Sequence, residues 1–157
     1  MRFCEQNKIV PILEPEDHQN GVDGDSINMA NYDHLTLIFS FGELTGNAVL
    51  TIYSGAADAA KTTAETFNYR ATAADLKTAA GDTLGTEATS AALTLTDATY
   101  EDRLLVVEMD AEELTPGQEF VTPSLSDAAS EALISCVAIL SGPRFAQQTP
   151  PSAIPAA

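Results

Sequence analysis

The sequence predicts a mainly β fold, a single antiparallel β-sandwich or small β-barrel domain with extended N- and C-terminal arms. Three observations carry this: several apolar runs of strand length, period-two alternation in the clearest of them, and turn formers between them with no sustained helical period. The 157 residues suffice for one domain with a real core. The apolar fraction of 45% is globular, but much of it is alanine and tryptophan is absent, so a few short runs must carry the fold.

The first run, Lys8 to Leu13, contains Pro11, which cannot donate to a ladder and points to an edge strand or an arm. Glu14 to Asp25 is polar and rich in turn formers, and Ser26 to Met29 alternates like a brief strand. In His34 to Phe41, Leu35, Leu37, Phe39 and Phe41 share one face while Thr36, Ile38 and Ser40 share the other. Gly46-Asn47 then marks a turn into Ala48 to Tyr53, and the two runs read as an antiparallel hairpin. Ala56 to Glu65 reads as a loop, Phe67 to Ala71 as an alternating strand, and Ala73 to Ala80 as a short helix at most. Ala91 to Thr96 is a further strand. Arg103 to Met109 is nearly continuous in apolar residues, the pattern of a strand covered on both faces. Phe120 to Leu125 reads as a strand broken by Pro123, and Ala132 to Leu140 as the last core strand. The chain therefore divides into an N-terminal arm with edge strand and polar loop (1–25), a sandwich core (26–142) and a Pro-rich C-terminal arm (143–157).

A formal net charge of −16 with seven basic residues disfavours nucleic acid, whose binding requires phosphates to be neutralised, and disfavours anionic lipid. No apolar run is long enough to span a bilayer, and Met1 to Val10 is too polar for a secretory signal. Cys4 and Cys136 are read as free thiols, Cys136 as a buried inert one in its apolar strand.

Catalytic constellations are missing from the pattern. His18 and His34 have no metal-ligand spacing and are read as solvated or strand-edge residues. Asp23-Gly24-Asp25-Ser26 looks like a calcium-loop fragment without the further oxygen ligands or distal Glu, so it is read as a solvated turn. There is no Gly-x-Ser-x-Gly elbow and no Gly-rich phosphate loop. The expectation is a non-enzymatic protein without cofactor or metal.

Three stretches carry a resemblance: Asn28 to Phe39 with Phe41-Gly42, Leu105 to Leu114, and Ala138 to Ala146 with Pro151 to Ile154 beyond. Together they resemble tailed-phage and prophage virion proteins encoded near the major capsid protein, the capsid decoration or cement proteins among them. The resemblance implies a small β-rich domain, often trimeric, on the outer capsid surface, made in the host cytoplasm. Its implied partners are the major capsid protein and further copies of itself, with no nucleic acid and no membrane. A tail-tube, tail-terminator or head–tail joining subunit is the alternative within virion structure. A glycan- or host-surface-binding β-module, using Tyr53, Tyr69 and Tyr100, is the alternative of another class. Both arms are contact candidates or else frayed termini, with Ile9, Val10, Ile12, Arg144, Phe145 and Ile154 as the nominated contact residues.

Overall fold

The computed structural model describes residues 2–144 and 152–155. It is a β-sandwich of two antiparallel six-stranded sheets, with no closed barrel. The first sheet has the order β1 (Lys8–Asp17), β12 (Ala132–Pro143), β4 (Tyr32–Leu44), β10 (Leu104–Asp110), β7 (Phe67–Ala71) and β8 (Ala88–Ser90). The second is built on β11 (Phe120–Leu125) and β5 (Ala48–Gly55). Around these two, β2 (Val22–Asp23) and β3 (Ile27–Asn28) pair with β11, while β6 (Thr63–Ala64) and β9 (Leu93–Leu95) pair with β5. Helical turns α1 (Phe3–Gln6) and α2 (Asp97–Tyr100) and a 3-10 turn at Ala111–Glu113 complete the chain.

The core follows from alternation. Leu35, Leu37, Phe39 and Phe41 of β4 are buried, as are Ala132, Ile134, Cys136, Ala138 and Leu140 of β12 and Leu105, Val107 and Met109 of β10. Opposite them lie Leu50 and Ile52 of β5 and Val121 and Leu125 of β11. A bulge where Ala132 opposes Leu44 and Ile134 opposes Phe41 lets Leu44 return to the inner face.

Four sequence expectations are corrected. β4 and β5 do not form a hairpin: β4 lies between β12 and β10, and β5 belongs to the other sheet. Each strand offers one apolar face, and facing each other across the sandwich satisfies that pattern as well as pairing side by side. β10 is not covered on both faces, because Leu104 and Val106 on its outward side are only half-buried and Glu108 and Asp110 are exposed. Pro123 does not break β11, whose register runs unbroken from Phe120 opposite Gly55 to Leu125 opposite Leu50. The Pro123 carbonyl accepts a hydrogen bond from Gly24 N–H at 2.8 Å, and a residue's N and C=O point to the same side. Its missing donor therefore faces the gap between β2 and β3, where no ladder bond is called for. Finally, Ala73 to Ala80 forms turns and no helix.

β1 sits at the sheet edge, one of the two places Pro11 allows, and its pairing with β12 continues through Pro15 to Asp17. Two backbone bonds close the sandwich beside it, Asp25 N–H to Ile12 C=O at 3.3 Å and the Gly24–Pro123 bond. At the other end of β4 a tight connection forms, where a Cβ on Gly46 would lie 2.2 Å from the Ala128 carbonyl oxygen. Backbone, not a flexible side chain, stands in the way. Gly46→Ala is expected to cost about 1–3 kcal/mol, measured as a shift of the urea midpoint. An unchanged midpoint would contradict this packing.

Candidate functional site

The two outward faces of the sandwich differ chemically. On the second sheet, Lys61 Nζ bonds both oxygens of Asp23 at 2.8 and 2.9 Å, and the Ser124 hydroxyl donates to Asp23 at 2.5 Å. Lys61 also lies 5.6 Å from the centre of the Tyr53 ring. That face carries an internally paired polar cluster beside the half-buried Val49, Tyr53 and Phe120. The Lys61 and Ser124 hydrogen bonds hold the Asp23 carboxyl below its ordinary value, so the calcium-like fragment is occupied by an internal cation.

The outward face of the first sheet carries aliphatic side chains instead. One register row runs Pro11, Val137, Ile38, Val106 and Arg70 across β1, β12, β4, β10 and β7. The next runs Ile9, Ile139, Thr36, Glu108 and Asn68. Leu104 and Ser40 pair on the other side of the central row. Ile9 is 47% exposed and Val137 37%, while Ile38, Ile139, Leu104 and Val106 are half-buried. Neighbouring strands lie about 4.8 Å apart, so this stripe is roughly 15–20 Å wide. The stripe is the most extended aliphatic row among the described residues of that outward face and is the candidate contact surface.

Charge is confined to two margins of the stripe. At one, His34 Nδ1 lies 2.6 Å from Asp110 and its Nε2 lies 3.5 Å from Glu108. At the other, Arg70 is held by Glu87 at 3.0 Å. His34 thus lies between two carboxylates on the outward face of β4, with Nδ1 at hydrogen-bond distance from Asp110. His18, expected to be solvated, is buried, with Nε2 3.0 Å from the Glu14 carbonyl oxygen. The turn folds back on the end of β12, where His18 N–H donates to Ala132 C=O, and so covers the ring.

The nominated contact residues fall into different environments. Ile9 is exposed on the apolar face, whereas Val10 and Ile12 point into the core at 2% and 5% exposure. Arg144 is exposed and its Nε donates to Asp33 at 3.1 Å, while its backbone N–H bonds Asn31 C=O. Phe145 lies outside the described residues. Ile154 is 37% exposed, but its neighbour Ala153 is buried at 1% and accepts a bond from Asn28 N–H, so this part of the C-terminal segment returns to the domain. Sequence reasoning did not nominate Ile38, Ile139, Leu104, Val106 or Val137. The signal was present as the second apolar set in β10 and β12, which read as core, and as Ile38 of β4, which was assigned to the opposite face without being nominated.

A cleft of about 270 Å³ lies between Met29-Ala30 and the Ala111–Glu119 loop, with Arg144 at its rim. The loop is pinned from inside by Glu65, which is buried and accepts from the Ser54 hydroxyl at 2.5 Å and from Thr115 N–H at 2.9 Å. Ser54 Oγ also lies 2.8 Å from Gln118 Oε1. Burial opposes charge on Glu65, but the Ser54 and Thr115 hydrogen bonds outweigh it and hold the carboxyl below its ordinary value. Cys136 is fully buried, and burial pushes its thiol up, far from reactivity. Among the described residues no three His, Cys, Asp or Glu side chains are placed to hold a metal ion. Of the three tyrosines considered for glycan stacking, Tyr100 is buried and Tyr69 packs on the core beside Phe67, leaving Tyr53 on the opposite sheet.

No protein-family model matches the chain, and no curated protein matches its sequence. Among solved structures, the crystal structure of SPBc2 prophage-derived protein YomS superposes with a TM-score of 0.53 at 12% identity, covering 87% of this chain and 93% of that one. The two share a fold. The structure of infectious bursal disease virus Gt strain gives a TM-score of only 0.18 at 12% identity, over 87% of this chain and 40% of that one, too low for a shared fold.

Proposed function

We propose that this chain is a non-enzymatic structural protein of a tailed-phage virion, which decorates the outer surface of the head by binding across major capsid protein subunits. The observation that carries the reading is the sandwich shared with a prophage-derived protein over nearly the full length of both chains. The aliphatic outward face of the first sheet, exposed at Ile9 and Val137 among the described residues, supports it, because a cement protein acts by adding buried area across subunit boundaries and so stabilises the shell by mass action. Ile9 belongs to that face, and Arg144 and Ile154 lie exposed at the C-terminal return. In this reading the chain assembles as a homotrimer on the shell and contacts neither nucleic acid nor membrane. Its acidity keeps it soluble while it accumulates in the host cytoplasm.

The test is to quantify the polypeptide in purified heads, tails and procapsids. Decoration predicts hundreds of copies per expanded head and few on procapsids. Enrichment in tails with few copies in heads would overturn it in favour of a tail or joining subunit.

A further inference from the structure

We propose that Asn20 is a latent modification site, where this chain deamidates through a cyclic imide at a rate set by the turn between β1 and β2. The sequence supplies the reactive pair. Six asparagines occur, at 7, 20, 28, 31, 47 and 68, and Asn20 alone is followed by glycine. Glycine has no side chain to shield its backbone nitrogen, so that nitrogen reaches a neighbouring carbonyl most readily. In the reaction the Gly21 amide gives its proton to solvent and its nitrogen attacks Asn20 Cγ. The Cγ–Nδ2 bond breaks, the side-chain nitrogen leaves as ammonia, and a succinimide ring closes. Water then opens either C–N bond of the ring, leaving aspartate or an isoaspartate whose backbone is longer by one methylene. One water is consumed and one ammonia released, with no change of oxidation state.

The fold leaves the Asn20 side chain exposed but holds the nucleophile. Gly21 N–H donates to the His18 carbonyl at 2.9 Å. Gly21 has φ +76°, and a Cβ there would stand 2.9 Å from both the Leu125 oxygen and the Asp127 nitrogen, so its peptide lies against the β11–β12 connection. The preceding peptide is fixed too. Gln19 N–H donates to Asp17 Oδ1 at 3.0 Å, and Gln19 C=O accepts from Ala128 N–H at 2.9 Å. Asp17 Oδ1 also accepts from Ala132 N–H at 2.9 Å, which ties the turn to the start of β12. Swinging the Gly21 nitrogen onto Cγ breaks its bond to His18, and a proton already donated is harder to remove. Cyclisation therefore waits for local opening of the turn. Asp23-Gly24, the one Asp-Gly pair, is guarded differently. Lys61 and Ser124 hold its carboxyl ionised, a poor electrophile, and Gly24 N–H is committed to the Pro123 carbonyl. Modification at Asn20 adds a charge to a chain already at −16, and the longer isoaspartyl backbone no longer matches the turn that Gly21 and His18 close.

The experiment incubates the full chain at mildly alkaline pH beside a synthetic peptide of residues 14–25, and follows both by peptide mapping that separates isoaspartate. Deamidation should appear at Asn20 before any other asparagine, and at least about tenfold more slowly than in the peptide. In urea above the unfolding midpoint the chain should match the peptide. Asp17→Ala should quicken both the reaction and hydrogen exchange of the Gly21 amide. Asp17→Asn, which keeps an oxygen acceptor, should quicken them less. Asn20→Gln should remove the product and leave thermal unfolding as in the parent. A folded chain that reacts as fast as the peptide overturns the proposal, because the turn would then hold nothing back. A first product at another asparagine overturns it as well. So does a rate that stays slow in urea, since the brake would lie in the sequence and not in the turn. An unchanged rate in Asp17→Ala, with Gly21 exchange raised, would sever reaction from opening and equally overturns it.

Discussion

Phe39→Ala should destabilise the protein by about 3–5 kcal/mol, the largest effect expected of any single truncation considered. Phe39 is fully buried at the centre of β4, opposite Cys136 on one side and Leu105 on the other. Its ring stacks on Phe41 with centroids 6.3 Å apart and planes within 8°. Phe41 in turn meets the edge of Tyr100, so the ring joins β4 to α2. Truncation removes the transfer free energy of the ring and leaves a cavity in the middle of the first sheet, which hydrogen-bonded strands on both sides cannot collapse to fill. Against a typical total stability of about 5–15 kcal/mol, that loss approaches the threshold of folding. At roughly 2–4 °C per kcal/mol for a chain of this size, the melting temperature should drop by about 6–20 °C. Val137→Ala, at an exposed position of the next strand, should move it by no more than a few degrees. Calorimetry on the two variants makes the comparison. Equal shifts would mean that the inward and outward faces have been assigned wrongly.

Removing the Glu65 carboxylate is expected to cost about 2–4 kcal/mol and to change how stability depends on pH. Glu65→Ala removes the acceptor of the half-buried Thr115 amide and leaves the buried Ser54 hydroxyl with Gln118 Oε1 as its remaining acceptor. The loop that lines the cleft loses its pin, so amide exchange from Thr115 to Gln118 should accelerate beyond the global change. Because the folded carboxyl titrates below its ordinary value of 4.5, the folded state binds fewer protons than the unfolded chain in that region. Its contribution is fully present above the unfolded value and is lost as pH falls through the depressed folded value. Asp23, held down by Lys61 and Ser124, acts in the same sense but is half-exposed and weaker. Urea midpoints measured from pH 7 down to about 3 should therefore fall for the parent protein and fall less steeply for Glu65→Gln. Parallel curves would refute the assignment.

The contrast between these two sites shows what a sequence can reveal. Phe39 was legible from its own strand, because period-two alternation is a local property that assigns each side chain to one face or the other. Pro11 likewise limited β1 to an edge strand or an arm, since a missing donor is intrinsic to the residue, and the edge is where it lies. Glu65 was invisible: it stood in a run of Ala, Thr and Lys that read as loop, and its partners lie 11 and 50 positions away. The outward stripe was half legible. Leu104, Val106, Ile38 and Val137 were plainly apolar, but a strand covered by a second layer and a strand covered by a partner have the same composition.

By itself the sequence determined that the chain is built of short strands and which residues of β4 point inward. Only the tertiary structure decided that β4 and β5 face each other across the core instead of pairing, that Pro123 meets a gap in the ladder, and that one outward face carries an aliphatic row while the other carries the Lys61–Asp23 pair. The division has a physical reason. Alternation and missing donors act within a few residues, whereas sheet adjacency is settled by where distant strands bury the most apolar surface, a property of the assembled core and not of any segment in it.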